Sequence, residues 1–207
     1  MAVKKMGVLS GVLICVILST IAVRAYWWEV FKVPTESMVP TFAVGDLLLV
    51  NKMAFTQPWS SQSQTPKTGE VIVFHQPKTH ILYVKRIVGL PGDEVMVLGK
   101  TIWVNGVPLE TTTAEGALQW GEKWNATQVE QRRLSNGATY RTVSSTDAMV
   151  GWKMSGYWVV PPHHVFVVGD WRDHSSDSRE WGAVPLSAIV GRVACSWGEK
   201  SKGCNFN

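Results

Sequence analysis

The stretch Pro34-Thr35-Glu36-Ser37-Met38-Val39-Pro40 is bounded by prolines and presents Ser37 between apolar neighbours. A serine is inert at neutral pH unless a positioned base takes its proton, so Ser37 is a nucleophile only if the chain supplies that base. The five histidines are in poor settings for a triad. His75 and His80 flank a turn at Pro77, His163 and His164 follow Pro161-Pro162, and His174 sits in a charged loop. Lys85 is the better candidate. Ile81-Leu82-Tyr83-Val84-Lys85-Arg86-Ile87-Val88 alternates as a strand and puts Ile81, Tyr83, Lys85 and Ile87 on one face, apolar except for the amine. A free lysine is about 0.1% neutral near pH 7.4, and desolvation that lowers its pKa by roughly two to three units leaves a usable fraction of neutral amine. Taken alone, the strand favours the other reading, a lysine whose ammonium snorkels into water.

The elements that must bring these two groups together can be followed along the chain. Phe31-Lys32-Val33 reads as an extended lead-in, fixed by Pro34, that delivers Ser37. A turn at Gly45-Asp46 precedes Leu47-Leu48-Leu49-Val50, a continuous apolar run that predicts a buried strand. The Ser-, Gln- and Pro-rich segment Gln57 to Thr68 is a loop, after which Gly69-Glu70 opens the strand Val71-Ile72-Val73-Phe74. The lysine strand stops at the turn Gly89-Leu90-Pro91-Gly92-Asp93. Glu94 to Leu98 and Ile102 to Val104 form a hairpin around Gly99-Lys100, and Asn105-Gly106 is a two-residue hairpin signal. From residue 110 to 161 the composition shifts to Thr, Trp, Gln and Gly with no catalytic-looking cluster, which reads as an inserted lobe. Val165-Phe166-Val167-Val168 returns to buried-strand character and runs into Gly169-Asp170-Trp171-Arg172-Asp173-His174-Ser175-Ser176-Asp177-Ser178-Arg179-Glu180-Trp181-Gly182. Its aspartates lack the turn glycine and closing glutamate of a calcium hand, and Arg172 and Arg179 supply countercharge. An ion-paired loop that holds a hydroxyl against Lys85 is expected instead.

At 207 residues, 45% hydrophobic and 17% charged, the chain is long enough for one core with a smaller appended lobe and is not disordered. Its net charge of +4 is scattered without a basic stripe, which argues against nucleic acid as a partner. Lys4-Lys5 precede an uncharged apolar run from Met6 to Val23, and Tyr26-Trp27-Trp28 follow it. This is the pattern of a membrane span with an aromatic belt. A cleaved secretory signal is the competing reading, since Val23-Arg24-Ala25 has small residues where such cleavage needs them. The length of the run and the closeness of Ser37 favour a retained anchor. Cys15 falls inside the span, while Cys195 and Cys204 bracket a short turn, and sequence alone leaves a disulfide and two free thiols both open.

Four blocks carry a resemblance. Ser37-Met38-Val39-Pro40-Thr41, Gly45-Asp46 with Val50-Asn51-Lys52, Tyr83 through Asp93, and Gly169-Asp170 through Arg179 resemble, in order and spacing, bacterial type I signal peptidases. The resemblance implies a mostly β fold, with one N-terminal transmembrane helix and a two-lobed antiparallel β ectodomain. The chain would divide into a cytoplasmic tip and anchor at 1–25, a catalytic core at 26–109 and 162–207, and the inserted lobe at 110–161. It implies a serine endopeptidase of the bacterial inner membrane, single-pass, with its catalytic part on the extracytoplasmic side. Its partners would be the lipid bilayer and the signal peptides of exported preproteins, and it would need no metal or cofactor. Ser37 matches the nucleophile, Lys85 its general base, and Thr35 the hydroxyl that joins the Ser37 amide in holding an oxyanion. Ser175 matches the residue that orients the lysine, and Asp177 with Arg179 the pair that braces the loop. Phe31, Val33, Pro34, Met38, Phe42, Tyr83 and Val84 match the walls of pockets for small side chains before the cut. Trp171 and His174 stand where the family usually carries asparagines. Two related chemistries share a Ser-Lys pair. A conjugation-type pilin-processing peptidase fits the same residues. A self-cleaving regulator needs an internal Ala-Gly or Cys-Gly bond that this chain lacks.

Overall fold

The computed structural model describes residues 14–16, 19–20, 26–55, 65–117, 127–134, 136–145, 155–198 and 202–204. The apolar run read as an anchor lies almost wholly outside these residues, and no helix among the described residues is long and apolar enough to cross a membrane. What is described is mostly β, as expected.

The strands follow the chain as β1 (Trp28–Lys32), β2 (Leu47–Asn51), β3 (Val71–His75), β4 (Leu82–Gly89), β5 (Glu94–Leu98), β6 (Thr101–Val104), β7 (Val107–Pro108) and β8 (Glu110–Ala117). Then come β9 (Thr127–Leu134), β10 (Thr139–Ser145), β11 (Gly156–Val159), β12 (His164–Val168), β13 (Val184–Pro185), β14 (Ile189–Trp197) and β15 (Lys202–Cys204). They form three antiparallel sheets. The largest runs β1-β2-β14-β3-β4-β12-β13 with β15 paired to β14, the second runs β11-β5-β6-β7, and the third runs β10-β9-β8.

Burial explains the strand sequences. β3 is packed on both faces, with Val71, Ile72, Val73 and Phe74 all buried, so it reads as an unbroken apolar run. β2 was expected to be the same, and the structure corrects this. Leu48 and Val50 are buried while Leu47 is 44% exposed, because β2 has a core beneath only one face. In the turn between β6 and β7, Asn105 and Gly106 have φ of 53° and 77°, the positive values a two-residue hairpin requires.

Two apolar cores sandwich the main sheet where Lys85 lies. Val33, Met38, Phe42, Leu48, Val50, Val71, Val73 and Val193 fill one side, and Ile72, Phe74, Ile87, Val165, Val167, Val184 and Ile189 the other. A third core joins the second sheet to the third through Val95, Val97, Ile102, Leu134 and Tyr140. Each such buried side chain contributes about 1.5–3 kcal/mol, so the strands that carry the site are held by their cores rather than by local propensity. Cys195 and Cys204 sit opposite each other in β14 and β15 and form a disulfide, which resolves the question the sequence left open.

Candidate active site

Ser37 lies in a single 3-10 turn, Glu36–Met38, at the end of the extended lead-in. Paired hydrogen bonds tie that lead-in down: Val33 N donates to Asp46 O at 2.8 Å, and Gly45 N donates to Val33 O at 2.9 Å. The turn is closed by Val39 N donating to Glu36 O and Phe42 N donating to Met38 O. The result is a serine only 7% exposed, with its side chain aimed across the groove at β4.

Pairing with β3 sets Lys85 opposite Ile72, and the Lys85 side chain ends 2.6 Å from Ser37 Oγ. Thr35 Oγ1 lies 3.2 Å from the same oxygen. Lys85 is 3% exposed, and this burial pulls its pKa down from 10.5 to about 8. Asp177 and Asp170 oppose that shift, and Arg179 adds to it. The Tyr83 ring lies 5.3 Å from Lys85 Nζ and roofs the amine. At pH 7.4 an amine of this acidity is about 20% neutral, against about 0.1% for a free lysine. Burial, then, overturns the snorkelling alternative.

The loop after β12 encloses the pair from the third side. Asp177 Oδ2 accepts from Gly169 N at 2.9 Å, and its two oxygens accept from Arg179 Nε and Nη2, each at 2.8 Å. Arg179 Nη2 also donates to Arg172 O at 2.7 Å, which closes the loop on itself. A Cβ on Gly169 would collide with Ser175 Oγ and would come within 2.6 Å of Ser37 O, so the close approach of the loop to Ser37 requires glycine there. Ser175 stands in this crevice with its hydroxyl buried, and that hydroxyl makes no hydrogen bond among the described residues.

The countercharge differs from the sequence reading in one respect. Arg179 does pair with Asp177, but Asp170 is held by Arg86 of β4, whose Nε and Nη2 donate to its two oxygens at 2.8 and 2.7 Å. Thr41 Oγ1 also donates to Asp170, and Arg86 Nη1 donates to Gly69 O. Arg172 directs its Nη2 to Tyr140 Oη at 2.9 Å.

A groove of about 400 Å3 opens onto Ser37 and Lys85. Val33, Pro34, Thr35 and Met38 line one wall, Ile81 to Lys85 the other, and Glu36, His174 and Ser176 the rest, with His174 Nε2 3.9 Å from Glu36. Of the expected pocket walls, Val33, Pro34, Met38, Tyr83 and Val84 face the groove. Phe42 is fully buried behind Met38, and Phe31 packs against the same core, so both support the wall from behind. Glu36, Leu82 and Ser176 also line the groove, and in the sequence only their closeness to Ser37, Tyr83 and Ser175 marks them. Between Leu82 and Lys85, β4 pairs with β3 alone, because β12 takes up its other edge only from Arg86 onward. The free edge runs along the groove.

A buried hydroxyl beside a partly neutral amine, with a second hydroxyl at hand and an open strand edge leading in, is equipped for acyl transfer from an extended peptide. The comparisons with known proteins agree with that chemistry. A family described as signal peptidase, peptidase S26, matches residues 5–197. Signal peptidase I of Pseudomonas fluorescens is 32% identical to the chain, over 88% of this chain and 69% of that one. That of Pseudomonas aeruginosa is 33% identical over the same shares, and that of Aquifex aeolicus 33% identical over 87% of this chain and 80% of its own. With the family matched from residue 5 to residue 197, Ser37 and Lys85 both included, the chain belongs to the S26 signal peptidase family.

Proposed function

We propose that this chain is a membrane-anchored serine endopeptidase that removes N-terminal signal peptides from exported preproteins, with Ser37 as nucleophile and Lys85 as general base. The observation that carries the reading is the 2.6 Å separation of Lys85 Nζ and Ser37 Oγ in a site where burial lowers the lysine pKa to about 8.

The steps balance on these residues alone. Ser37 Oγ attacks the scissile carbonyl carbon while its proton passes to neutral Lys85 Nζ. Thr35 Oγ1 and the Ser37 amide donate to the oxyanion, and one such donor is worth about 3 kcal/mol in the transition state. The carbon–nitrogen bond then breaks, and Lys85 returns the proton to the leaving amine. Water attacks the acyl ester with Lys85 taking its proton, the ester carbon–oxygen bond breaks, and Lys85 gives that proton to Ser37 Oγ, which restores both groups. Ser175 is assigned to orienting Lys85, and Asp177 with Arg179 to bracing the loop. The reaction needs no metal or cofactor.

The substrate adds as an extended strand to the free edge of β4, with its small side chains before the cut against Val33, Pro34, Met38, Tyr83 and Val84. Phe31 and Phe42 stiffen that wall. Residues 6–23 serve as a single-pass anchor in the bacterial inner membrane, with the catalytic core of residues 26–109 and 162–207, and the lobe of 110–161, on the extracytoplasmic side. Two features support this placement: a disulfide between Cys195 and Cys204 suits an oxidising compartment, and the exposed Trp27, Trp28 and Trp197 suit a lipid interface.

The test is preprotein cleavage by the full-length protein in lipid vesicles. Ser37→Ala and Lys85→Ala are expected to be folded and nearly inactive, and the acid limb of the wild-type pH–rate profile is expected near the lysine pKa of about 8. Sustained cleavage by folded Lys85→Ala would overturn the assignment.

A further inference from the structure

The third sheet lies outside the reacting pair, yet three of its side chains and one stretch of its main chain reach the machinery. Val143 of β10 is bonded on both sides to the loop: its N–H donates to Asp170 O at 3.0 Å, and its carbonyl accepts from Arg172 N at 2.9 Å. Trp171, between them, donates its own N–H to Ser37 O at 3.1 Å. Two hydrogen-bonded steps therefore connect β10 to the nucleophile's carbonyl. Val129 of β9 and Val143 also pack with Trp171 and with Val39, two residues beyond Ser37, in one small core.

The third connection runs to the base. Arg86, the residue after Lys85, lies with its guanidinium carbon 4.2 Å from the Tyr140 ring centroid. The Tyr140 hydroxyl accepts from Arg172 at 2.9 Å. Arg86, Arg172, Asp170 and Tyr140 are all buried. Buried charges are an inefficient way to hold two lobes together, because well-packed aliphatic residues stabilise as much without the desolvation penalty. The hydrogen-bonded part of this network, Arg86 on Asp170 with Thr41 and Gly69 O, instead selects one geometry over its neighbours.

We propose that the β8–β10 sheet is a brace that holds Ser37 and Lys85 at reacting distance, and that Tyr140 is its positioning residue. This rests on the Ser37–Lys85 reading above. Tyr140 touches neither substrate nor the reacting atoms. Its ring seats Arg86, Arg86 clamps Asp170, and Asp170 with its neighbours Gly169 and Trp171 fixes the loop against Ser37. Of the groove lining, Ser37, Lys85 and His174, whose N–H donates to Trp171 O, adjoin this chain of contacts, while Val33, Pro34, Met38, Tyr83 and Val84 do not, so alignment is expected to suffer before substrate binding does. Loosening also unmasks Asp170 and admits water near the amine. Both effects raise the pKa of Lys85 and move the acid limb to higher pH.

The experiment compares full-length Tyr140→Leu, Tyr140→Phe and Val97→Ala in vesicles. Val97 is buried in the same core as Tyr140 and serves as a control for lost packing. Preprotein cleavage is followed across pH for kcat and KM, alongside thermal unfolding. Tyr140→Leu is expected to lower kcat at least about tenfold at neutral pH, with KM within about twofold and the acid limb moved upward, since misplacement of about 1 Å costs up to 10²-fold. Tyr140→Phe, which keeps the ring, is expected to fall between Tyr140→Leu and wild type. Val97→Ala is expected to keep the wild-type kcat and acid limb despite a comparable loss of Tm. The brace is refuted if folded Tyr140→Leu matches wild type in both, or if Val97→Ala loses as much kcat for the same loss of Tm. Should Tyr140→Leu fail to fold, Tyr140→Phe decides, and wild-type kcat with an unmoved acid limb refutes the proposal. Failure of the underlying dyad reading is seen separately, as cleavage surviving in Lys85→Ala.

Discussion

Replacing Lys85 by methionine is expected to abolish cleavage and, at neutral pH, to make the protein more stable. The two side chains are similar in length and flexibility, so the packing beneath Tyr83 is largely kept. The wild-type amine titrates at about 8 when folded and at 10.5 as a free side chain. Below pH 8 it is protonated in both states, and holding the ammonium in the apolar site costs about 3 kcal/mol. Methionine escapes that cost but forfeits the contact with Ser37 Oγ, about 1 kcal/mol, for a net gain of about 2 kcal/mol. For a domain of this size that is about 4–8 °C in Tm.

The pH dependence has a definite sign. Between pH 8 and 10.5 the unfolded chain binds more protons than the folded one, so wild-type stability rises with pH through that window. The advantage of Lys85→Met is therefore constant below pH 8, shrinks from 8 to 10.5 and reverses slightly above. Urea unfolding of the full-length protein in micelles, at a series of pH values, measures it. A Lys85→Met variant less stable than wild type at pH 7, with a difference that does not change up to pH 10.5, would refute the claim that Lys85 is kept partly neutral by burial.

Other substitutions probe the parts around the pair. Thr35→Val is expected to lower kcat by about 10²-fold with little change in KM, while Thr35→Ser keeps most of the activity, as steady-state kinetics on a preprotein would show. Gly169→Ala forces a Cβ against Ser175 Oγ and Ser37 O; it is expected to cost about 1–3 kcal/mol in urea unfolding and to reduce kcat sharply. Arg86→Met leaves Asp170 buried without its guanidinium and is expected to cost about 3–5 kcal/mol. Much of that loss should return in the double variant Arg86→Met, Asp170→Leu, measured the same way.

Reading the sequence succeeded where a local rule governs. The alternation through Tyr83, Lys85 and Ile87 follows from the two-residue period of a strand, and the structure packs Tyr83 with Ile87 and sets Lys85 Nζ over the Tyr83 ring, whereas Ile81, expected on the same face, precedes the strand and is exposed. Asn105-Gly106 forms its turn for an equally local reason, since both residues tolerate positive φ. The reading of Leu47 to Val50 as uniformly buried went wrong because burial of a strand's second face depends on what the rest of the chain lays over it. Arg172 lies near the loop's aspartates in sequence, which suggests countercharge, but Asp170 pairs with Arg86, 84 positions away. The stretch from 110 to 161 looked chemically empty because Tyr140 and Val143 carry no reactive group.

By itself the sequence determined the side-chain types of the site and their local presentation: a serine held by prolines, a lysine on an apolar strand face, and a loop rich in charges. Tertiary structure alone decided that the Lys85 amine would be partly neutral, that Arg86 would neutralise Asp170, and that the third sheet would reach Ser37. The physical reason is that strand period and turn preference act between neighbours along the chain. Desolvation and ion pairing depend on distances in space, which only the packed sheets define.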